Sequence, residues 1–162
     1  MTIETGQDRM GLLAANCRET LERSGNCAQT SFSVLQEEFG LDGKQILKAL
    51  TPFPGIALRG ETCGAVVGSL MALGLVFGRE DLEDWDGYIA SLPAARRFCR
   101  RFEKENGSTV CGSILEAKLG KRFNLADGGE AVEYLSAGGR EACAAVIISA
   151  VQIAAELMRS KA

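Results

Sequence analysis

The chain has 162 residues, 46% of them hydrophobic and 24% charged, with a formal charge of −3; these values exclude a disordered or fibrous chain and suit one domain with its own core. The pI near 5.1 removes the basic footprint of a nucleic-acid or anionic-membrane binder. Histidine is absent, which eliminates Ser-His-Asp and Cys-His catalysis, histidine-ligated zinc and C-x-x-C-H haem attachment.

The N-terminal stretch MTIETGQDRMGLLAANCRETLERS carries acids early and lacks the basic and apolar regions of a secretory signal. Apolar residues then recur at helical spacing through Met10, Leu13, Cys17 and Leu21, and again through Ala28, Phe32, Leu35 and Phe39, where Gly40 is a stop. A short helix is expected over Gly43–Leu50. The segment TPFPGIALRGET, with two prolines and two glycines, reads as a loop. From Cys63 to Phe77 the chain is apolar nearly all round, the mark of a helix buried on most sides. Gly64, Gly68 and Gly74 cost helix propensity there and imply close approach of another backbone. The uncharged run Cys63 to Gly78 is 16 residues, short of the ~20 that cross a bilayer as a helix.

Pro93 predicts the first turn of a helix running to about Glu105, with Ala95, Phe98, Cys99 and Phe102 on one face and Asn106-Gly107 at its end. Ser108 or Thr109 would cap the next helix, through Cys111, Ile114, Leu115 and Leu119 to Gly120. Asp127 would cap a short helix to Leu135, Gly138-Gly139 breaks the chain, and Arg140–Ser160 forms the last amphipathic helix. Strand signals are weak. The expectation is an all-α fold, a single-domain bundle of six to eight helices over residues 1–162, in the cytoplasm. In the run Arg96-Arg97-Phe98-Cys99-Arg100-Arg101-Phe102 the phenylalanines fall on the apolar stripe and the arginines opposite, as on a solvated helix face. No nucleotide-binding glycine loop is present.

Of six cysteines, Cys17 and Cys99 lie on apolar stripes and read as core. Cys27, Cys63, Cys111 and Cys143 each fall at, or within a turn of, an expected helix start. Free N–H groups and the helix dipole would there stabilise a thiolate and lower its pKa. Cys143 also shares a stripe with Val146, Ile147, Ala150, Ala154 and Leu157, and taken alone it reads as packing rather than chemistry. The separations of 36, 48 and 32 residues are unlike the short C-x-x-C pairs of zinc ribbons and ferredoxins, so spacing alone announces no metal site.

Asn26-Cys27-Ala28-Gln29, then Cys63-Gly64-Ala65-Val66-Val67-Gly68 reading C-G-A-x-x-G, then single cysteines at Cys111 and Cys143 ahead of a small-residue helix, resemble the C_GCAxxG_C_C family of redox-active proteins. The resemblance runs from roughly residue 10 to the end. It implies a small helical domain whose four signature cysteines form a redox or iron–sulfur centre. Cys27, Cys63, Cys111 and Cys143 map onto those positions; Cys17 and Cys99 do not. The loop PFPGIALRG is poorer in glycine than is usual there. Some relatives carry the domain beside haem-binding sequence, as in split-Soret cytochromes, but a chain without histidine has no such tail.

The leading expectation is an electron-transfer protein holding an iron–sulfur cluster, [2Fe–2S] or [4Fe–4S], on these four cysteines, with the Gly64 and Ala65 amides beside the Cys63 sulfur. The alternatives are a metal-free thiol–disulfide protein or sensor and a structural zinc protein with four cysteine ligands. The implied partner is a redox protein, with no nucleic acid and no membrane span; a homo-oligomer is left open. The residues specify no reaction.

Overall fold

The computed structural model describes residues 6–161; the opening residues of the acidic N-terminal stretch, 1–5, and Ala162 lie outside it. Among the described residues the fold is all-α, in nine helical segments: α1 (Gly6–Ser24), α2 (Cys27–Phe39), α3 (Lys44–Ala49), α4 (Gly55–Leu58), α5 (Gly64–Phe77), α6 (Trp85–Asn106), α7 (Cys111–Leu119), α8 (Gly128–Ser136) and α9 (Gly139–Arg159). The only pairing of strand type among them is one isolated antiparallel bridge, Thr62 with Val110.

The central post is α9, which packs against α1, α2, α5 and α6. By length and composition it is the one described helix that is apolar enough to cross a membrane, and in this fold that apolarity faces protein: Ile147, Ala150, Val151 and Ala154 are completely buried. Around it the stripes read from the sequence close the core, with Leu13, Cys17, Phe32, Leu35, Phe98 and Phe102 sealed from solvent. Phe98 and Phe102 stack with ring centres 6.0 Å apart, and Arg96, Arg97 and Arg100 point outward. α2 and α5 pack closely at Gly68, where a Cβ would stand 2.2 Å from the Ala28 carbonyl oxygen and from Ser31 Oγ.

Local chemistry sets most of the boundaries. The Asn26 side chain accepts from the Gln29 amide at 2.9 Å to start α2, and Gly40 in the left-handed region (φ 61°) ends it. Asp127 likewise caps α8 through the Glu130 amide. Two starts differ from expectation. α6 begins at Trp85, capped by Asp84 accepting from the Gly87 amide at 2.8 Å, so Pro93 lies inside the helix. Pro93 is on the exposed side, as is Ile89, whose carbonyl it cannot bond. At α7 the cap position is Val110, and Ser108 Oγ accepts from the Val110 amide instead.

The expected loop contains the least ordinary backbone. Gly55, Ile56, Ala57 and Leu58 have φ of 53°, 51°, 56° and 62°, one turn wound left-handed and closed by Leu58 N–H to Pro54 O (2.8 Å) and Arg59 N–H to Gly55 O (3.1 Å). For L-residues this conformation costs about 1–2 kcal/mol each. The chain leaving this turn is fastened to the start of α7: the amides of Cys63, Cys111 and Gly112 donate to the carbonyls of Thr109 (2.8 Å), Glu61 (2.6 Å) and Gly60 (2.9 Å). This lacing brings Cys63 and Cys111 to one end of the bundle.

Candidate redox centre

Three helix starts and one second turn converge at that end. Cys27 is the first residue of α2, Cys63 the residue before α5, Cys111 the first of α7, and Cys143 lies five residues into α9. All four line one small cavity of about 20 Å³, closed by Ile114, Leu115, Val146 and Ile147. Cys27, Cys111 and Cys143 also border a second cavity of about 110 Å³, whose walls include Leu21, Pro54, Gly55, Leu58, Phe123 and Tyr134. No charged side chain lines either one. The thiols therefore border a void in apolar surroundings, and all six cysteines of the chain are free. Among the described residues no three potential ligands draw together as a ready clasp for one ion.

Burial dominates the electrostatics. It pushes the Cys27 thiol up to about 12, with repulsion from Cys143 and Cys111 adding, and the Gly64 N–H and the residue's own amide offset only part of this. Cys63 is held well above the ordinary thiol range by burial and then by Cys27 and Cys111, against the Ala65 N–H. Cys111 rises to about 11 through burial and then Cys143. Cys143 is also raised by burial, against the Tyr134 hydrogen bond and the Lys118 charge. The helix starts thus do not lower these pKa values as expected, because desolvation of a thiolate outweighs a few amide dipoles. Without a bound cation the thiols are protonated at neutral pH.

The amides of the C-G-A segment divide their work. Gly64 N–H serves Cys27, not its neighbour Cys63, while Ala65 N–H serves Cys63. The space is tight: a Cβ on Gly64 would stand 2.4 Å from Cys27 Sγ, and a Cβ on Gly55 would stand 3.4 Å from Cys111 Sγ. Cys17 is fully buried in the core, away from both cavities, and Cys99 is partly buried against the core.

Tyr134 was not legible in the sequence. Its hydroxyl donates to Cys143 Sγ at 3.0 Å, its ring meets Phe123 edge-on with centres 5.9 Å apart, and it lies over Gly139, where a Cβ would come within 2.1 Å of the ring. Only the Gly138-Gly139 pair hinted that something must approach the start of α9.

Four soft sulfur donors, an apolar void between them and amides directed at two of the sulfurs fit an iron–sulfur cluster. Comparison with known proteins gives one match: the family model described as "Putative redox-active protein (C_GCAxxG_C_C)" covers residues 25–157. No curated protein and no solved structure matches the chain.

Proposed function

The chain belongs to the C_GCAxxG_C_C family of redox-active proteins, and on that premise we propose that it transfers electrons through an iron–sulfur cluster held by Cys27, Cys63, Cys111 and Cys143. The observation that carries this reading is the single cavity bordered by all four thiols. Thiols spread around a void suit several metal atoms, which take two cysteines per iron in [2Fe–2S] and one per iron in [4Fe–4S], more than one zinc ion needing all four sulfurs about one point. Either a [2Fe–2S] or a [4Fe–4S] cluster uses four cysteines, and when bound it supplies a one-electron couple.

The chain's own residues do the rest. The amides of Gly64 and Ala65 hydrogen-bond sulfur and lower its electron density. Ile114, Leu115, Val146 and Ile147 exclude water from the inner side, and the outer cavity gives the centre one face toward the surface. An external redox protein supplies or removes the electron.

The test is anaerobic reconstitution of the full chain with ferrous iron and sulfide, followed by visible spectroscopy and analysis for iron, sulfide and zinc. A brown protein with iron and sulfide is expected. Serine at Cys27, Cys63, Cys111 or Cys143 should abolish or alter the spectrum, while Cys17→Ser and Cys99→Ser leave it intact. A colourless protein, whether it carries zinc or a disulfide between these cysteines, overturns the reading.

A further inference from the structure

The four thiols are not equivalent. Cys27 and Cys63 are served by backbone amides, which no side-chain substitution can remove directly. Cys143 alone among the four receives a side-chain hydroxyl, from Tyr134 at 3.0 Å. We propose that Tyr134 is the positioning residue of the centre: through this hydrogen bond it makes Cys143 electronically distinct and raises the potential at which the centre accepts an electron. The inference rests on the four cysteines forming the centre, as proposed above.

Three features hold the hydroxyl in place. The Tyr134 ring is wedged edge-on against Phe123, and Phe123 is in turn covered by the Lys121 ammonium 4.8 Å from its ring centre. Below, the ring fills the space that Gly139 leaves by having no side chain. From outside, Lys121 pairs with Glu133 (2.7 Å) and the Asn124 amide donates to Glu130 (2.8 Å), tying α8 to the segment that carries Phe123. α8 buries no residue completely, so its half-buried Tyr134 is its anchor at the site. A structure that needed only bulk here would be served by phenylalanine; among the described residues the hydroxyl has no other partner than the sulfur.

The chemistry follows from the direction of the bond. An O–H donor withdraws charge from a sulfur acceptor, and the withdrawal counts most when the sulfur carries most negative charge. The reduced state of a centre is the more negative one, so the hydrogen bond favours it and raises the potential.

Two variants test this in the reconstituted chain. Tyr134→Phe keeps the ring and loses the donor; Gly139→Ala keeps the donor and pushes the ring off its seat. Titration with dithionite against mediator dyes should give a lower midpoint potential for both variants than for the wild type, with iron and sulfide content unchanged. A wild-type cluster together with an unmoved or higher potential in Tyr134→Phe overturns the proposal alone. A wild type that takes up no iron and sulfide overturns the cluster reading and the proposal with it.

Discussion

Gly64 stands against Cys27 so closely that a Cβ on it would lie 2.4 Å from Cys27 Sγ and 2.9 Å from the Ala28 amide nitrogen. The second residue of the C-G-A segment is therefore a wall of the site on α2, although it belongs to α5. Gly64→Val must displace either the Cys27 sulfur or the start of α2, and the amide now serving Cys27 moves with it. The expected outcome is loss or alteration of the reconstituted spectrum. If stability falls while iron, sulfide and spectrum stay as in the wild type, Gly64 is a packing device only.

Gly68 and Gly74 lie in the same helix and should respond oppositely to alanine. At Gly68 the added methyl meets the Ala28 carbonyl oxygen at 2.2 Å, rigid backbone of the neighbouring helix, whereas at Gly74 it meets nothing within 4 Å. Overpacking costs about 1–3 kcal/mol, and replacing an unencumbered helical glycine gains roughly 1 kcal/mol. Denaturant unfolding of the metal-free protein should show Gly68→Ala destabilised and Gly74→Ala stabilised; the same sign for both would contradict the packing described.

Ala57 has φ 56° and ψ 38° within the left-handed turn. Glycine adopts this conformation freely, so Ala57→Gly should stabilise the fold by about 1 kcal/mol, the reverse of the usual sign for that change. Thermal unfolding compared with the wild type measures it, and a lower midpoint in the variant would mean that the turn is not left-handed.

Cys17 supplies a pH prediction away from the site. Burial raises its thiol to about 12, partly opposed by Arg18. The folded pKa lies above the unfolded value near 9, so the folded state holds the proton more tightly. Its contribution to stability is fully present below about pH 9 and is lost as pH rises toward 12. Unfolding free energies of the metal-free protein measured across that window should fall less steeply in Cys17→Val than in the wild type. Identical slopes would remove Cys17 from the account.

The elements that were legible in the sequence are those whose signals are local. Gly40 after α2 and Asp127 before α8 act within a turn of themselves, and the stripes through Leu13 and Phe32 needed only their own periodicity. Pro93 misled because a proline suits a first turn equally well; Asp84, three residues before the amide it caps, was the better signal. The left-handed turn was read as loop but not as left-handed, since Ile56, Ala57 and Leu58 carry no mark of positive φ and the hydrogen bonds that enforce it come from the chain around them. The candidate site was legible as four cysteines, which the fold brings to one cavity, and a glycine motif. Tyr134 was not, because its partner lies on another helix, and the direction of the thiol pKa shifts was not, because burial is a property of the closed bundle.

The wide spacing of Cys27, Cys63, Cys111 and Cys143 along the chain has a consequence for biosynthesis. A sequence with paired C-x-x-C motifs can capture metal on a short peptide while the rest is still being made. Here each thiol arrives on a separate helix, and closing three long loops opposes any gathering of the four before the helices pack. On the proposed cluster reading, assembly of the centre would then follow folding, with the folded, metal-free protein as its precursor. On the same reading, truncated or misfolded chains, which present only solitary cysteines, would not compete with the folded protein for iron and sulfide.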